Sequence, residues 1–357
     1  MDKVWWNKVP NASHFLRLVI DSIQSGQSVL LHIPKTFPWY MTMQDIITSE
    51  LRKVNSTRSC KFIRDNGEDP GEHLFKEFCK REKRARYRPN IGYPKFLADS
   101  DDIPLNQHIL WICGAETAQV KKWYGFIDEY KKALGKNKNG CLFILEATSP
   151  INSKEKKGIR VIDYDKIIEY YDNYLFNMLS ASKLNESAFF KQYLSEAVSL
   201  MIPNDIELSS KCVLKGREFL TSPIDTLYKI IEEDYKSDGS DFVLTATEKQ
   251  LSERLWKAQI KVIFPLIENH RNLIITKYKK EIQPLLPIQA TYGEEFSEAS
   301  EVELGTFAYL VKEKKIKVDE ADYKRVHILK NARNILAHLG TLSQKQVDEI
   351  FDLKTNI

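Results

Sequence analysis

Short apolar runs that alternate with helical patterns limit more than any other feature how this chain can fold. The runs are SVLLHI at 28–33, CKFI at 60–63, HILWIC at 108–113, CLFILE at 141–146 and IRVI at 159–162. Because they are rich in β-branched or aromatic residues and bounded by polar or turn residues, they are typical of strands buried on both faces. Between them, apolar residues recur at helical spacing over 39–54, 73–84 and 118–134. This alternation predicts an α/β domain in which helices cover both faces of a parallel sheet.

Helical patterns replace the strand pattern after about residue 165. They cover 164–182, 186–201, 222–235, 247–281, 301–313, 319–339 and 343–353. Pro265 lies inside one of them and should kink or divide it. The Ser/Asp/Gly cluster at 236–241 is the strongest internal boundary. We therefore predict an α/β domain at 1–165, a helical region at 166–240 and a helical C-terminal domain at 241–357.

The hydropathy and the cysteine pattern indicate where such a chain works. No uncharged apolar run reaches the length of about 18 residues that a membrane helix needs. The N-terminal residues show no signal-peptide pattern, and the five cysteines are scattered without a CxxC pair. Scattered cysteines are typical of a reducing compartment. The sequence therefore predicts a cytoplasmic protein without a membrane partner.

The overall charge excludes one class of protein. Lys and Arg number 53 and Asp and Glu number 49, which leaves a formal net charge of only +4. A chain so nearly neutral is not a polybasic coat for nucleic acid. Any contact with RNA or DNA must come from a local cluster of basic residues.

The order and spacing of the predicted elements resemble the P-loop NTPases of the AAA+ and STAND type over roughly residues 15–200. The first strand precedes a helix, the fourth stands where a sensor strand would, and a helical region follows the fifth. The resemblance implies a nucleotide-binding-like fold for the N-terminal domain. It says nothing by itself about activity, because one fold supports many functions.

The phosphate-binding loop of such enzymes is missing after the first strand. A P-loop needs glycines for close backbone approach to phosphate, a Lys for the terminal phosphates and a Ser or Thr for magnesium. Lys35-Thr36 has the right ending, but no glycine precedes Lys35 within eight residues. Pro34 and Pro38 also remove two amide donors. The sequence predicts a degenerate P-loop domain that hydrolyses no ATP and holds neither cofactor nor metal.

Two further features of this domain have alternative interpretations. The third strand is followed by Glu116 rather than by paired acids, and an isolated acid at such a place is usually solvated. Phe37, Trp39 and Tyr40 follow the first strand. These aromatic side chains either form a partner-binding loop or cover the end of the sheet.

A basic segment at 76–88, KEFCKREKRARYR, holds seven basic and two acidic residues. Arginine offers two-point contacts to phosphate, and phosphate backbones attract such clusters through counterion release. The candidate nucleic-acid-binding residues are Lys80, Arg81, Lys83, Arg84, Arg86 and Arg88. The alternative is a solvated helix face without a ligand.

A short motif near the C-terminus resembles the catalytic motif of HEPN-type ribonuclease domains. It comprises Arg333, the adjacent polar Asn334 and His338, with four residues between Arg333 and His338. HEPN domains are helical and carry this motif on one of their last helices, an outline that 247–357 matches. The resemblance implies that His338 is the general acid/base, that Arg333 stabilises phosphate and that Asn334 is the polar member of the site. It also implies a homodimer with facing motifs.

Helix geometry allows a structural interpretation of the same residues. Residues five apart are offset by about 140° on a helix, so Arg333 and His338 do not share one face. His338 also precedes Gly340 in a last helical turn, where a positive side chain favours the helix dipole. Arg333 could pair with Glu301 or Glu303 on a neighbouring helix. The motif is therefore either catalytic or structural.

A second cluster, His270-Arg271-Asn272, lies in a helical pattern whose apolar positions include Ile263 and Ile267. That pattern predicts a solvated polar face for His270 and Arg271.

An AAA+/STAND-like region joined to a HEPN-like domain resembles components of prokaryotic antiphage defence systems. The function expected from the sequence is a non-hydrolytic binding or scaffold subunit that acts with other defence-system proteins. A metal-independent endoribonuclease using Arg333 and His338 is the second hypothesis. A nucleic-acid-binding regulator acting on RNA or DNA through 76–88 is the third.

Overall fold

The structure is a computed structural model of the chain. It describes residues 1–54, 57–100, 103–134, 140–149, 155–289, 293 and 295–353. The chain divides into two compact units, Met1–Phe176 and Asn177–Ile357. The boundaries drawn from the sequence at 165 and 240 stay predictions.

The described part of the first unit alternates strands and helices. The strands are β1 (Ser28–His32), β2 (Ser59–Arg64), β3 (His108–Cys113), β4 (Leu142–Ala147) and β5 (Ile159–Asp163). The helices are α1 (Asp2–Lys8), α2 (Pro10–Gln24), α3 (Tyr40–Val54), α4 (Pro70–Phe78), α5 (Arg81–Arg84), α6 (Tyr93–Asp99) and α7 (Thr117–Leu134). Short 3₁₀ turns cover Pro89–Ile91, Pro104–Gln107 and Tyr164–Lys166. Helix α8 (Tyr170–Ala181) begins in this unit.

Within the described residues, the five strands form one parallel sheet in the order β2-β3-β4-β1-β5. The prediction of a mixed α/β fold with a parallel sheet is confirmed. Strands β1 and β4 are buried along their whole length, as a sheet covered on both sides requires. The strand order differs from the 3-2-1-4-5-6 order of dinucleotide-binding folds and from the 2-1-3-4-5 order of flavodoxin-like folds.

Side-chain alternation along β1 explains the two helical layers. Successive residues of a strand point to opposite faces of the sheet. Leu30 packs into a buried apolar cluster with residues of α4, α6 and α7. The flanking residues Val29 and Leu31 are equally buried on the other face, where α2 contacts β1. Each face of the sheet therefore has its own hydrophobic core.

The second unit is mainly helical in its described residues. Its helices are α9 (Ala188–Met201), α10 (Ile206–Lys215), α11 (Arg217–Thr221), α12 (Pro223–Glu233), α13 (Glu248–Val262), α14 (Phe264–Lys277), α15 (Lys279–Ile282), α16 (Leu304–Lys312), α17 (Glu320–Ala337) and α18 (Gln344–Phe351). A small antiparallel pair joins β6 (Ile288–Gln289) to β7 (Glu295–Phe296), and 3₁₀ turns cover Gln283–Leu285 and Ala299–Glu301. Pro265 divides the long predicted helix, as expected, because α14 begins with this proline in its first turn.

Among the described residues, no helix combines sufficient length with sufficient apolar character to cross a bilayer.

Candidate functional site

The strand order places a topological switch point between β1 and β4. The chain leaves β1 toward β2 at one edge of the sheet, whereas it leaves the neighbouring β4 toward β5 at the opposite edge. Open parallel sheets bind ligands beyond the carboxyl ends of two such strands, where the diverging connections leave a crevice. The register pairs Leu31 with Glu146 and His32 with Ala147 at this point. These residues therefore lie where a ligand site is expected in a parallel sheet.

A buried carboxyl group occupies the switch point. Glu146 is only 5% exposed, and the hydroxyl of Tyr40 lies 2.8 and 2.9 Å from its two oxygens. The indole N–H of Trp111 donates to Glu146 Oε1 at 2.6 Å. The amide of Gln44 donates to the Tyr40 hydroxyl oxygen at 2.5 Å. Side chains of α3, β3 and β4 thus hydrogen-bond to one another at the switch point.

Burial dominates the electrostatics of this group. Burial raises the pKa of Glu146 to about 7, although the hydrogen bonds from Tyr40 and Trp111 act in the opposite direction. Burial and the neighbouring Glu146 charge also raise the pKa of the Tyr40 hydroxyl, which stays protonated and remains a donor. The carboxyl group is therefore partly protonated at neutral pH, which is uncommon for a glutamate.

The loop after β1 lies in the core. Phe37 is buried, with its ring centroid 5.4 Å from Trp6, 5.9 Å from Phe15 and 4.6 Å from Tyr164. The Phe37 N–H donates to the carbonyl of Pro34 at 3.1 Å, so this amide is not aimed at a ligand. Of the two interpretations of the aromatic residues, covering the end of the sheet matches the position of Phe37.

A second polar group lies at the same edge of the sheet, where β1 and β5 end. The Nδ1 atom of His32 lies 2.7 Å from Asp163 Oδ1, and Lys166 Nζ lies 3.1 Å from Asp163 Oδ2. Burial alone would raise the pKa of Asp163, but the hydrogen bonds from His32 and Lys166 hold it below its usual value.

The donor atoms of His32, Asp163 and Asp165 lie within 4.8 Å of one another, a spacing that a divalent cation could bridge. However, Asp163 already accepts from His32, from Lys166 and from the Asp165 N–H at 3.2 Å. The ammonium group of Lys166 thus already supplies the positive charge that a metal ion would bring. The arrangement is explained as an ion-pair network that fixes the end of β5.

The sequence interpretation missed Glu146, His32 and Asp163. A signal was present, because each is the last or next-to-last residue of a buried strand. Residues at the carboxyl ends of parallel strands all lie at the same edge of the sheet. Which strands are neighbours could not be read from the sequence, so the pairing of these side chains was not predictable.

The basic segment runs from the last turn of α4 through α5 to the 3₁₀ turn that begins at Pro89. Arg84 donates to the carbonyl of Cys79 at 2.7 Å and to the carbonyl of Lys76. Arg88 donates to the carbonyls of Ala85 and Tyr87 at 3.1 and 3.0 Å. These two arginines satisfy backbone oxygens of the segment itself. Lys80, Arg81 and Arg86 are exposed, whereas Lys83 is half-buried.

Tyr87 does not offer a free stacking surface to a base. Its ring stacks on Tyr93 with centroids 4.6 Å apart and packs against Phe75 and Phe96. The basic side chains remain as the candidate contacts to phosphate, and Lys80, Arg81 and Arg86 are exposed without a hydrogen bond to the segment's own backbone among the described residues.

The Arg-Asn…His motif lies at the end of α17. Arg333 is half-buried and forms an ion pair with Glu303, whose Oε1 lies 3.0 Å from Arg333 Nη2. Asn334 and His338 are exposed, and His338 is the capping residue that follows the last turn. No hydrogen bond or ion pair joins Arg333 to His338 in the described part of the chain. The catalytic role of these three residues stays a prediction.

The helix end at this motif has an unusual residue in its reversal. The N–H of Gly340 donates to the carbonyl of Ile335 at 2.9 Å, which closes the helix with a Schellman-type turn. The left-handed position of that turn belongs to Leu339, with a φ of 61°, and not to the glycine. A leucine there costs about 1 kcal/mol, and its side chain is 71% exposed.

His270 corrects one expectation from the sequence. It is only 4% exposed, and burial together with the nearby Arg325 charge lowers its pKa. His270 lies three residues after Ile267 and four before Ile274, so it falls on the same helix face as these buried residues. The prediction of a solvated His270 was wrong because it did not extend the apolar spacing of Ile263 and Ile267 to position 270.

Comparison with known proteins assigns no family to this chain. No protein-family model, no curated protein and no solved structure matches it. The functional argument therefore depends on the residues described above.

Proposed function

We propose that this protein is a non-hydrolytic binding or scaffold component of a prokaryotic antiphage defence system. The proposal that the protein does not hydrolyse ATP is supported by the switch point, where Tyr40 and Trp111 donate hydrogen bonds to the buried carboxyl group of Glu146. The assignment to defence depends on the resemblance of the chain to proteins that join an AAA+/STAND-like region to a HEPN-like domain.

Two features of the first unit oppose the binding of a phosphate group at the switch point. A carboxyl group lies there, and its ionised form would repel phosphate. The loop after β1 contributes Phe37 to the core, so it cannot wrap around a ligand without unfolding.

Calorimetric titration of the full chain with ATP and magnesium tests this proposal. We expect no saturable heat at micromolar concentrations and no release of phosphate, because the glycines of a phosphate-binding loop are missing and the ionised carboxyl group of Glu146 would repel phosphate. The matched variant is Lys35→Ala, which should behave like the unaltered protein. Micromolar ATP affinity that Lys35→Ala removes would overturn the proposal.

The exposure of Lys80, Arg81 and Arg86 favours contact with nucleic acid as a second property of the scaffold. Reversing these three to Glu should weaken the binding of a single-stranded RNA. It should also lower the slope of log affinity against log salt by roughly 2, since each phosphate contact contributes about 0.7. Fluorescence anisotropy over a range of salt concentrations measures both quantities. Arg84 is left unchanged because it bonds to backbone carbonyls.

The control for this experiment reverses Lys121 and Lys122, two exposed lysines on α7. Equal affinities and equal salt slopes for the unaltered protein and both variants would show that the basic segment is a solvated surface without a nucleic-acid ligand.

The same RNA, recovered after incubation in EDTA, tests the ribonuclease hypothesis. Cleavage that both His338→Ala and Arg333→Ala abolish would replace the scaffold assignment with an enzymatic one.

A further inference from the structure

A cavity of about 1250 Å³ lies at the amino ends of the strands, on the edge of the sheet opposite the switch point. Its lining comes from the ends of α2, α3 and α7 and from the starts of β3, β4 and β5. Nothing in the proposed function uses this cavity. Its size exceeds the 300–1,000 Å³ that is ordinary for small-molecule sites.

The cavity has a surplus of positive charge. Its charged lining residues are Arg58, Asp128, Lys131, Lys132, Lys156 and Lys157. Asp128 lies 2.8 Å from the ammonium group of Lys132 and 2.9 Å from that of Lys156, so one carboxylate serves two lysines. In the part of the chain that the structure describes, Arg58 and Lys157 have no acidic partner.

The helix ends at the cavity account for only part of this charge. Helices α2, α3 and α7 all end there, and each C-terminus carries about half a negative charge. Together they offer about −1.5, whereas five cations and one carboxylate leave a surplus of four positive charges. The remainder is free to attract an anion.

Lys131 shows that part of this charge is held away from water. Its ammonium group donates to the carbonyl of Gly26 at 3.0 Å. Burial lowers the pKa of Lys131 to about 8, and the positive charge of Arg58 acts in the same direction. An anion bound between them would favour the charged form of Lys131 and relieve this repulsion.

The apolar part of the lining is aliphatic and lies beside the polar side chains of Gln24, Thr57, Asn106 and Gln107. It includes Ile23, Leu51, Val54, Ile109, Leu134 and Leu142. Among the described lining residues there is no aromatic side chain on which a nucleobase could stack. The lining thus matches an anionic head joined to an aliphatic body better than it matches a nucleotide.

We infer that this cavity binds an aliphatic phosphate or diphosphate, with Arg58, Lys131 and Lys157 around the phosphate and the aliphatic side chains around the hydrocarbon. The site lies in the first unit at the edge opposite Glu146, and it does not require the proposed scaffold function. Binding involves charge pairing and burial of apolar surface, without a chemical step.

Calorimetry of the full chain with geranyl diphosphate as the probe tests this inference. Inorganic pyrophosphate supplies the charge alone, and geraniol supplies the hydrocarbon alone. We expect saturable binding of geranyl diphosphate, at least tenfold weaker binding of pyrophosphate and no binding of geraniol, because both parts of the lining contribute. Equal affinity for pyrophosphate and geranyl diphosphate would overturn the aliphatic assignment. Absence of binding by all three would overturn the site.

Two variants separate the contributions. The double change Arg58→Glu and Lys157→Glu should weaken the binding of geranyl diphosphate by about tenfold or more, since it replaces two cations with two anions. Val54→Asn should weaken the binding of geranyl diphosphate and leave the affinity for pyrophosphate unchanged, because Val54 is an exposed aliphatic residue of the lining. Lys35→Glu is the charge-reversal control outside the cavity. Melting temperatures within error of the unaltered protein confirm that each variant folds, and affinities unchanged in both cavity variants would contradict the inference.

Discussion

Replacing Glu146 with Gln should raise the free energy of unfolding of the first unit by about 3 kcal/mol at pH 8. Burial raises the pKa of this carboxyl group from 4.5 to about 7, so the folded state favours the protonated form. Between pH 4.5 and 7 the folded state retains a proton that the unfolded state has released, and stability therefore falls as the pH rises through this window. Above pH 7 the full cost of burying the charge remains. A glutamine carries no charge and avoids that cost.

The amide of Gln keeps the hydrogen bonds of the site. Its carbonyl oxygen can accept from the indole N–H of Trp111, and its NH₂ group can donate to the hydroxyl oxygen of Tyr40, which reverses the direction of the Tyr40 bond. The substitution therefore removes a charge from the switch point without removing its occupant. It should also flatten the dependence of stability on pH between 4.5 and 7.

Urea unfolding at pH 5 and pH 8 measures both effects. Tryptophan fluorescence is the suitable probe, because all the tryptophans except Trp256 lie in the first unit. Glu50→Gln is the matched control, since Glu50 forms only an exposed ion pair with Lys53, and such pairs contribute little. If Glu146→Gln instead destabilised the protein more at pH 8 than at pH 5, the ionised carboxylate would be the form that the fold requires.

The parallel sheet was predictable because buried strands carry their own signal. Runs such as HILWIC and CLFILE are too apolar to lie anywhere but inside a sheet. The Glu146 cluster was not predictable, because its meaning depends on strand order. Tyr40 begins α3, Trp111 lies in β3 and Glu146 is the next-to-last residue of β4. Only the pairing of β4 with both β3 and β1 brings them together.

For the C-terminal motif, the sequence identified the residues but not their structural surroundings. Its residues could be found by spacing alone, and one of the alternatives, an ion pair between Arg333 and Glu303, is present in the structure. The exposure of His338 and the left-handed Leu339 depend on how the end of α17 is closed, which no spacing rule describes. His270 was misplaced because its spacing from Ile267 puts it on the buried face of α14, although a polar side chain there suggested a solvated position.

Phe37→Ala should destabilise the first unit by about 3–5 kcal/mol, the usual cost of truncating a buried phenylalanine. The ring of Phe37 lies among Trp6, Phe15 and Tyr164, and it connects the loop after β1 to α1, α2 and the end of β5. Its removal leaves a cavity lined by large rings that cannot collapse into the space. Urea unfolding followed by tryptophan fluorescence measures the change, because Trp6 is in direct contact with the lost ring.

The size of this effect decides whether the loop after β1 is part of the core or a docking loop. A docking loop holds its apolar side chains in solvent until a partner arrives, so their truncation barely changes the stability of the free protein. Met41→Ala supplies that comparison four residues away, since Met41 is 59% exposed and should lose less than about 0.5 kcal/mol. A loss at Phe37 as small as the loss at Met41 would show that the ring leaves the core in solution. In that case the crevice beside β1 would be open, and the reason for excluding a phosphate ligand from the switch point would be reduced to the charge of Glu146 alone.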